Sequence, residues 1–225
     1  MTPGQAAPTV TEIETPHGPA RLHTYEAARA EGTLLLSHGA GGGVDARDLV
    51  ALARALPPQG ITVVLLEQPW RVAGKKIASA PSTLDAALMA AVAAVTAVDD
   101  RRLVLGGRSA GARSACRCAR EAGAAAVLAL SFPLHPPGKP EKTRLPELQG
   151  AGVTVLVVQG ERDPMGRPEE FPDLEGVDLV VVPAADHALK VSRSGPLDQD
   201  GAMDVVVEAV LEWAVREVGL PVAPS

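Results

Sequence analysis

Three polar residues, Ser109, Asp163 and His187, follow one another along the chain in an order that can support nucleophilic catalysis. Ser109 is the centre of the sequence GRSAG, a G-x-S-x-G pattern whose small residues leave room for a sharp turn around a reactive hydroxyl. A serine hydroxyl becomes a nucleophile when a histidine takes its proton and a carboxylate orients that histidine. The order therefore predicts acyl transfer with Ser109 as nucleophile, Asp163 as acid and His187 as base.

Each of these residues also has a simpler interpretation when it is taken alone. An aspartate before a proline is a common turn former, and a single histidine is more often structural than catalytic. Two other carboxylates are candidates for the acid: Glu161 is the main rival of Asp163, and Asp186 is a weaker one because it adjoins the histidine. Taken together, the three residues favour the catalytic interpretation, because each follows a predicted strand in the required order.

A glycine-rich stretch near the N-terminus, HGAGGG at 38–43, can complete such a site. An oxyanion that develops during acyl transfer needs two N–H donors, one of them from the residue after the nucleophile. The sequence therefore predicts an oxyanion hole formed by the backbone N–H groups of Ala110 and Ala40, with Gly41 as the alternative to Ala40. His38 is then expected to hold this loop by hydrogen bonds.

The elements that must position these residues are predicted by alternating apolar runs and helical patterns. Two short alternating runs within residues 9–25 predict an antiparallel hairpin, and the continuously apolar strands that follow predict a parallel sheet covered on both faces. Chemistry gathers at the carboxyl ends of such strands. The predicted strands are 33–38, 61–66, 102–106, 126–132, 153–160 and 178–183. The predicted helices are 45–56, 82–95, 109–122 and 202–218. Asp45 is the expected N-cap of the first helix, and Ser82 or Thr83 is the expected N-cap of the second.

The length suits one α/β domain or two small ones. No internal repeat or Ser/Gly linker divides the chain, which predicts a single domain spanning residues 1–225 with flexible ends at 1–8 and 221–225. The net charge of −6 argues against nucleic-acid binding, and no apolar run is long enough for a membrane span. The first residues do not have the pattern of a secretory signal, and two cysteines, Cys116 and Cys118, suit a reducing compartment. We therefore expect a cytoplasmic protein that needs neither a cofactor nor a metal and acts on a small-molecule acyl substrate.

The same early glycines also fit a protein of another class. Gly41, Gly43 and Ala46 match the G-x-G-x-x-A variant of the dinucleotide-binding fingerprint, and Glu67 ends the next strand where an acid would bind a ribose. A Rossmann-like dinucleotide-binding protein is therefore the alternative. It would not have the N-terminal hairpin, and it would leave the serine, aspartate and histidine without a role.

Five stretches of the chain carry a family resemblance: LLSHGAGG, LVLGGRSAG, SFPLHPPGKPEKTR, LVVQGERDPMG and AADHALK. Together they resemble the α/β-hydrolase superfamily over almost the full length of the chain. The chain is most similar to its small, lidless, dienelactone-hydrolase-like branch, and within it to the hydrolase domain of the testis-expressed-protein type and its bacterial relatives. The resemblance implies an α/β-hydrolase fold without a lid domain and the same roles for Ser109, Asp163 and His187. Ala110 departs from the pattern, which often has Met there. A catalytically silent interaction module of the same fold is a further alternative.

The substrate has to be inferred from the loops. The segment between the predicted strands 126–132 and 153–160 is too short and proline-rich for a helical lid, which predicts an open site for small acyl groups. The loops 67–79 and 131–144 carry an excess of basic residues, which favours either a solvated surface or a preference for substrates with a carboxylate. The candidate substrate-binding residues are Gly41, Trp70, Arg71 and Arg108.

Overall fold

A computed structural model describes residues 7–192 and 194–218 of the chain. Within these residues, eight strands form one sheet in the order β1-β2-β4-β3-β5-β6-β7-β8. Of the predicted flexible ends 1–8 and 221–225, residues 1–6 and 221–225 lie outside the described residues. The strands are β1 (Thr9–Ile13), β2 (Ala20–Tyr25), β3 (Gly32–Ser37), β4 (Ile61–Glu67), β5 (Arg102–Arg108), β6 (Ala126–Leu130), β7 (Thr154–Gly160) and β8 (Val177–Val182).

The sheet is mostly parallel and has an antiparallel edge, as the sequence predicts. β1 and β2 form a hairpin, β2 pairs antiparallel with β4, and every later neighbour pair, from β4-β3 to β7-β8, is parallel. In β3, Ser37 lies beside Leu66 of β4 and Gly107 of β5, so the carboxyl ends of the central strands meet at one edge. The loops that carry the candidate catalytic residues therefore all leave this edge.

Helices cover both faces of the sheet. On one face, α1 and α6 pack leucines and valines against residues such as Leu36 and Val158. On the other, α3, α4 and α5 pack mainly small side chains, including Ala112 and Ala115, against residues such as Leu35. Small residues let α4 approach the sheet closely, which brings its N-terminus to the edge described above. The helices are α1 (Arg47–Ala55), α2 (Pro69–Val72), α3 (Pro81–Thr96), α4 (Ala110–Cys118), α5 (Leu145–Gln149) and α6 (Gln199–Trp213).

Two helix starts differ from the predictions. α1 begins at Arg47 after Ala46, with no side-chain cap, so Asp45 is not its N-cap residue. α3 begins with Pro81 in its first turn after Ala80, so neither Ser82 nor Thr83 caps it. A proline has a fixed φ that suits the first helical turn and lacks the N–H that a cap would satisfy, which explains the second start.

Two short helices lie within segments predicted as loops. α2 interrupts the segment after β4, and α5 interrupts the proline-rich segment after β6. The last helix, predicted at 202–218, begins three residues earlier and ends at Trp213, after which Ala214–Val218 form a π-helical turn. No helix in the described parts of the chain is long and apolar enough to cross a membrane.

Candidate active site

Ser109 occupies the sharp turn between β5 and α4. It has a φ of 54° and a ψ of −111°, a conformation that non-glycine residues rarely adopt and that stores strain. Its backbone N–H donates to the carbonyl of Leu130 at the end of β6, and its own carbonyl accepts from Arg113 in the first turns of α4. The turn therefore presents the serine hydroxyl at the carboxyl edge of the sheet, beside the positive end of the helix.

The glycines on either side of Ser109 are required by close backbone packing. A Cβ on Gly107 would lie 2.5 Å from the carbonyl oxygen of Ser37, and one on Gly111 would collide with the same oxygen. Real Cβ atoms do not approach so closely. The turn can therefore lie against the end of β3 only because both positions are glycine.

A chain of hydrogen bonds joins the serine, the histidine and the aspartate. His187 Nε2 lies 2.9 Å from Ser109 Oγ, and His187 Nδ1 lies 2.7 Å from Asp163 Oδ2. The Asp163 side chain is fully buried, whereas that of His187 is 23% exposed. When Nδ1–H donates to the carboxylate, Nε2 is left with a lone pair that accepts the serine proton.

The carboxylate of Asp163 is held by further donors. Gln159 Nε2 donates to Asp163 Oδ2 at 2.9 Å, and the backbone N–H of Met165 donates to Oδ1 at 2.8 Å. The same Gln159 amide also donates to the carbonyls of Gly166 and Phe132. Sequence reasoning missed Gln159, although a glutamine within the apolar strand β7 is a signal of a buried polar contact.

The two rival carboxylates accept hydrogen bonds from backbone N–H groups and do not hydrogen-bond to the His187 ring. Glu161 Oε2 accepts from the backbone N–H of Ala184 at 2.5 Å and supports a residue with a φ of 56°. Asp186 Oδ1 accepts from the backbone N–H groups of Ala188 and Lys190, which closes the turn that carries His187. The structure thus brings Asp163, and neither rival, to the histidine.

The glycine loop after β3 lies directly beside Ser109. A Cβ built on Gly39 would be 3.3 Å from Ser109 Cβ, so the backbone of the loop touches the turn. Ala40 and Gly41 are exposed. Among the hydrogen bonds of the described residues, the N–H groups of Ala40 and Ala110 have no protein acceptor. Both groups are therefore available to a bound oxyanion.

His38 holds the start of this loop from within the protein. Its Nε2 accepts from the backbone N–H of Gln68 at 3.2 Å, and its Nδ1 lies 2.9 Å from the carbonyl oxygen of Gly39, to which Nδ1–H donates. Burial lowers the pKa of His38, which favours the neutral ring that these two contacts require. The ring also meets Trp70 edge to face at 5.4 Å between centroids.

The four predicted substrate-binding residues are placed differently from one another. Gly41 and Arg71 are exposed, and the Arg71 guanidinium lies 5.7 Å from the ring centre of Trp70. Trp70 itself is only 3% exposed and packs on His38. The Arg108 side chain is 12% exposed and contacts protein groups. These placements do not support substrate contacts by Trp70 or Arg108, because both side chains are turned into the protein.

A comparison with protein-family models finds one described as an alpha/beta hydrolase domain, which matches residues 30–215. The match spans β3 to the end of α6 and includes every residue of the hydrogen-bonded chain. Among curated proteins, none matches the sequence significantly.

Solved structures of low sequence identity share the fold. A serine hydrolase without a lid from Xanthomonas campestris has a TM-score of 0.71 at 21% identity, with all of both chains covered. A serine hydrolase homologue from Coxiella burnetii has a TM-score of 0.74 at 16% identity, covering 92% of this chain and 98% of the other. The dienelactone hydrolase from Anabaena variabilis has a TM-score of 0.73 at 18% identity, covering 95% and 99%.

Proposed function

Because the chain belongs to the α/β-hydrolase family, we propose that it is a serine hydrolase that cleaves an ester or related acyl bond of a small substrate. The observation that carries the proposal is the hydrogen-bonded chain from Ser109 Oγ through the His187 ring to the buried Asp163. A serine in a strained turn, within reach of a basic imidazole nitrogen, is the arrangement that nucleophilic catalysis requires.

The proposed reaction has two stages. Ser109 Oγ attacks the substrate carbonyl while His187 Nε2 takes its proton, and the resulting oxyanion accepts hydrogen bonds from the N–H groups of Ala40 and Ala110. The bond to the leaving alcohol then breaks as His187 returns the proton to its oxygen. Water attacks the acyl-enzyme with His187 again as base, which releases the acid and restores Ser109. Asp163 keeps the imidazole oriented throughout and stabilises its charged form.

The alternative of a dinucleotide-binding protein is less well supported. Glu67, its expected ribose-binding acid, has its Oε2 within hydrogen-bond distance of His23 Nε2, at 3.2 Å, between β4 and β2. The N-terminal turn of α1, where a pyrophosphate would bind, already holds the buried carboxylate of Asp48 beside Arg108. The expected ribose-binding acid and the expected pyrophosphate site thus both have partners within the protein.

Replacing the nucleophile tests the proposal directly. We expect Ser109→Ala to reduce hydrolysis of a small activated ester to the background rate while the melting temperature stays near that of the wild type. A fluorophosphonate probe should modify the wild-type protein at Ser109, as located by mass spectrometry, and should leave the variant unmodified. Unchanged turnover in Ser109→Ala would contradict the proposal, and an unmodified wild-type protein would favour a silent interaction module.

A further inference from the structure

Arg108, the residue before Ser109, links three parts of the site through one side chain. Its Nη2 donates to the backbone carbonyl of His187 at 2.8 Å. Its Nη1 lies 3.6 Å from where a Cβ on Gly39 would be, beneath the glycine loop. Its Nε lies 3.1 Å from Asp48 Oδ2 in α1. The guanidinium therefore contacts the histidine loop and the first turn of α1, and it lies close to the glycine loop.

Asp48 serves as the anchor of this guanidinium. Its side chain is 2% exposed, and the contact between Nε and Oδ2 is an ion pair whose alignment does not meet hydrogen-bond geometry. Burial raises the pKa of Asp48, but the Arg108 cation and the N–H groups of the first turn of α1 favour its ionised form. A buried carboxylate needs such a partner, so Arg108 and Asp48 depend on each other.

The loop that carries His187 is held on both sides of the imidazole. The carbonyl of Ala185 accepts from the backbone N–H of Arg162 at 2.8 Å, and the carbonyl of His187 accepts from Arg108. In the described part of the chain, no backbone N–H donates to the His187 carbonyl. Ala184 and Leu189 have φ values of 56° and 49°, so the loop is strained at both ends and relies on these attachments.

We propose that Arg108 is a positioning residue, whose guanidinium, anchored by Asp48, holds the backbone of His187 and thereby the imidazole between Ser109 and Asp163. The inference rests on the proposed function, because it assigns a role within that site. Proton transfer depends steeply on the distance and alignment of the base, so a small displacement of the His187 ring reduces turnover without altering substrate binding.

The test compares Arg108→Met with Arg117→Met. Arg117 is a matched control, because it is also a partly buried arginine, it pairs with Asp85 and Glu147, and it lies at the far end of α4. Titration with the fluorophosphonate probe counts the folded, reactive sites in each preparation, so kcat can be expressed per labelled site. A merely structural role would lower the number of sites, whereas a positioning role lowers the turnover of each site.

We expect Arg108→Met to lower kcat per labelled site by roughly 10- to 100-fold, to slow the labelling of Ser109, and to leave KM within about threefold of the wild type. Arg117→Met should keep the wild-type kcat per site. The loss should be equal for neutral and anionic esters. A kcat per site within about twofold of the wild type overturns the inference, as does a loss that lies in KM and depends on the charge of the ester.

A second set of variants tests the inference if Arg108→Met does not fold. Asp48→Asn removes the anchor but keeps the arginine, and Asp48→Asn combined with Arg108→Met avoids an unpaired buried carboxylate. The double variant should lose roughly 10- to 100-fold of the wild-type kcat per site, because both changes act through one contact. A double variant with wild-type kcat per site would refute the positioning role. A wild-type protein that is not labelled at Ser109 would instead refute the proposed function.

Discussion

At the scale of single residues, the geometry of the site depends on side chains that do not react. Gln159 donates to the same Asp163 oxygen that accepts from His187, so one buried amide restricts the direction of the acid. Its other two contacts tie the carbonyls of Phe132 and Gly166 to the same point. The amide thus joins the loop after β6 to the loop that carries the acid.

Replacing Gln159 with leucine tests how much this amide contributes to turnover and how much it contributes to stability. We expect Gln159→Leu to lower kcat per labelled site by about 10- to 100-fold, because the carboxylate loses a hydrogen bond to a charged acceptor. The free energy of unfolding should fall by about 1–3 kcal/mol, because buried carbonyls lose their donor. Titrated esterase assays and urea denaturation measure the two effects.

Gln149→Leu, at the exposed end of α5, is the control and should change neither quantity. If Gln159→Leu keeps the wild-type kcat per site, the amide serves stability alone.

At the scale of elements, the strands could be predicted from the sequence, but several helix starts could not. Buried parallel strands are continuous runs of valine and leucine, and this pattern is visible without any partner. The helix starts at Pro69 and Pro81 follow a residue in an extended conformation and use no side-chain cap. A search for Ser, Thr or Asp caps therefore misses the first start and misplaces the second. Proline-led turns determine these boundaries.

The same distinction applies to the candidate site. Ser109, Asp163 and His187 follow predicted strand ends, so their order alone predicts that they meet. Gln159 lies only four residues before Asp163, but the sequence does not show that its amide turns toward that carboxylate. Asp48 could not be given a role in advance, because only the folded sheet brings its partner Arg108 near. The role of Arg108 depends on Asp48 and on the His187 carbonyl in the same way.

Between two elements, a histidine contact makes stability depend on pH. His135, in the loop after β6, contacts the carbonyl of Pro136 through Nδ1 and Glu170 through Nε2. The hydrogen bond to Pro136, and then Glu170, raise the pKa of His135, although burial and the nearby Arg144 oppose this. Both contacts are donated by the protonated ring. Its stabilisation is therefore complete below the unfolded pKa of 6.5 and is lost as the pH rises through the raised value.

We expect the stability difference between the wild type and His135→Gln to be larger at about pH 6 than at about pH 9. At low pH, protonation of Glu170 limits the stability that this contact provides. The N–H of Arg167 and the contact with His135 lower the pKa of Glu170, so its contribution is lost as the pH falls through that lowered value. Urea midpoints at several pH values measure the difference. A difference independent of pH would contradict the prediction, and His17→Gln, at an exposed histidine, is the control.

At the scale of the whole molecule, an acidic chain carries basic loops at the edge of the sheet where the candidate site lies. The net charge is −6, yet Arg71, Lys75 and Lys76 after β4, and Lys139 and Lys142 after β6, are all exposed. Charges of one sign around an open site attract ligands of the opposite sign over a distance of about 10 Å at 0.1 M salt. This distribution supports the hypothesis that the site prefers substrates with a carboxylate.

We expect kcat/KM to be higher for an anionic ester than for a neutral ester of the same alcohol, and the advantage to shrink as salt is added. Lys139→Gln combined with Lys142→Gln should reduce the advantage. Arg102→Gln, at the opposite edge of the sheet, should preserve it. Equal rates for the two esters, or a preference for the neutral one, would show that the basic loops are a solvated surface.

The strained backbone of Ser109 has a consequence for how this chain can change over generations. A φ of 54° suits glycine better than serine, so Ser109→Gly relieves strain in the same step that removes the hydroxyl. If turnover gave a cell no advantage, a mutation to glycine would meet less resistance from backbone strain than a mutation to another side chain. Under the proposed function, backbone strain and the need for a hydroxyl therefore act in opposite directions at this one codon.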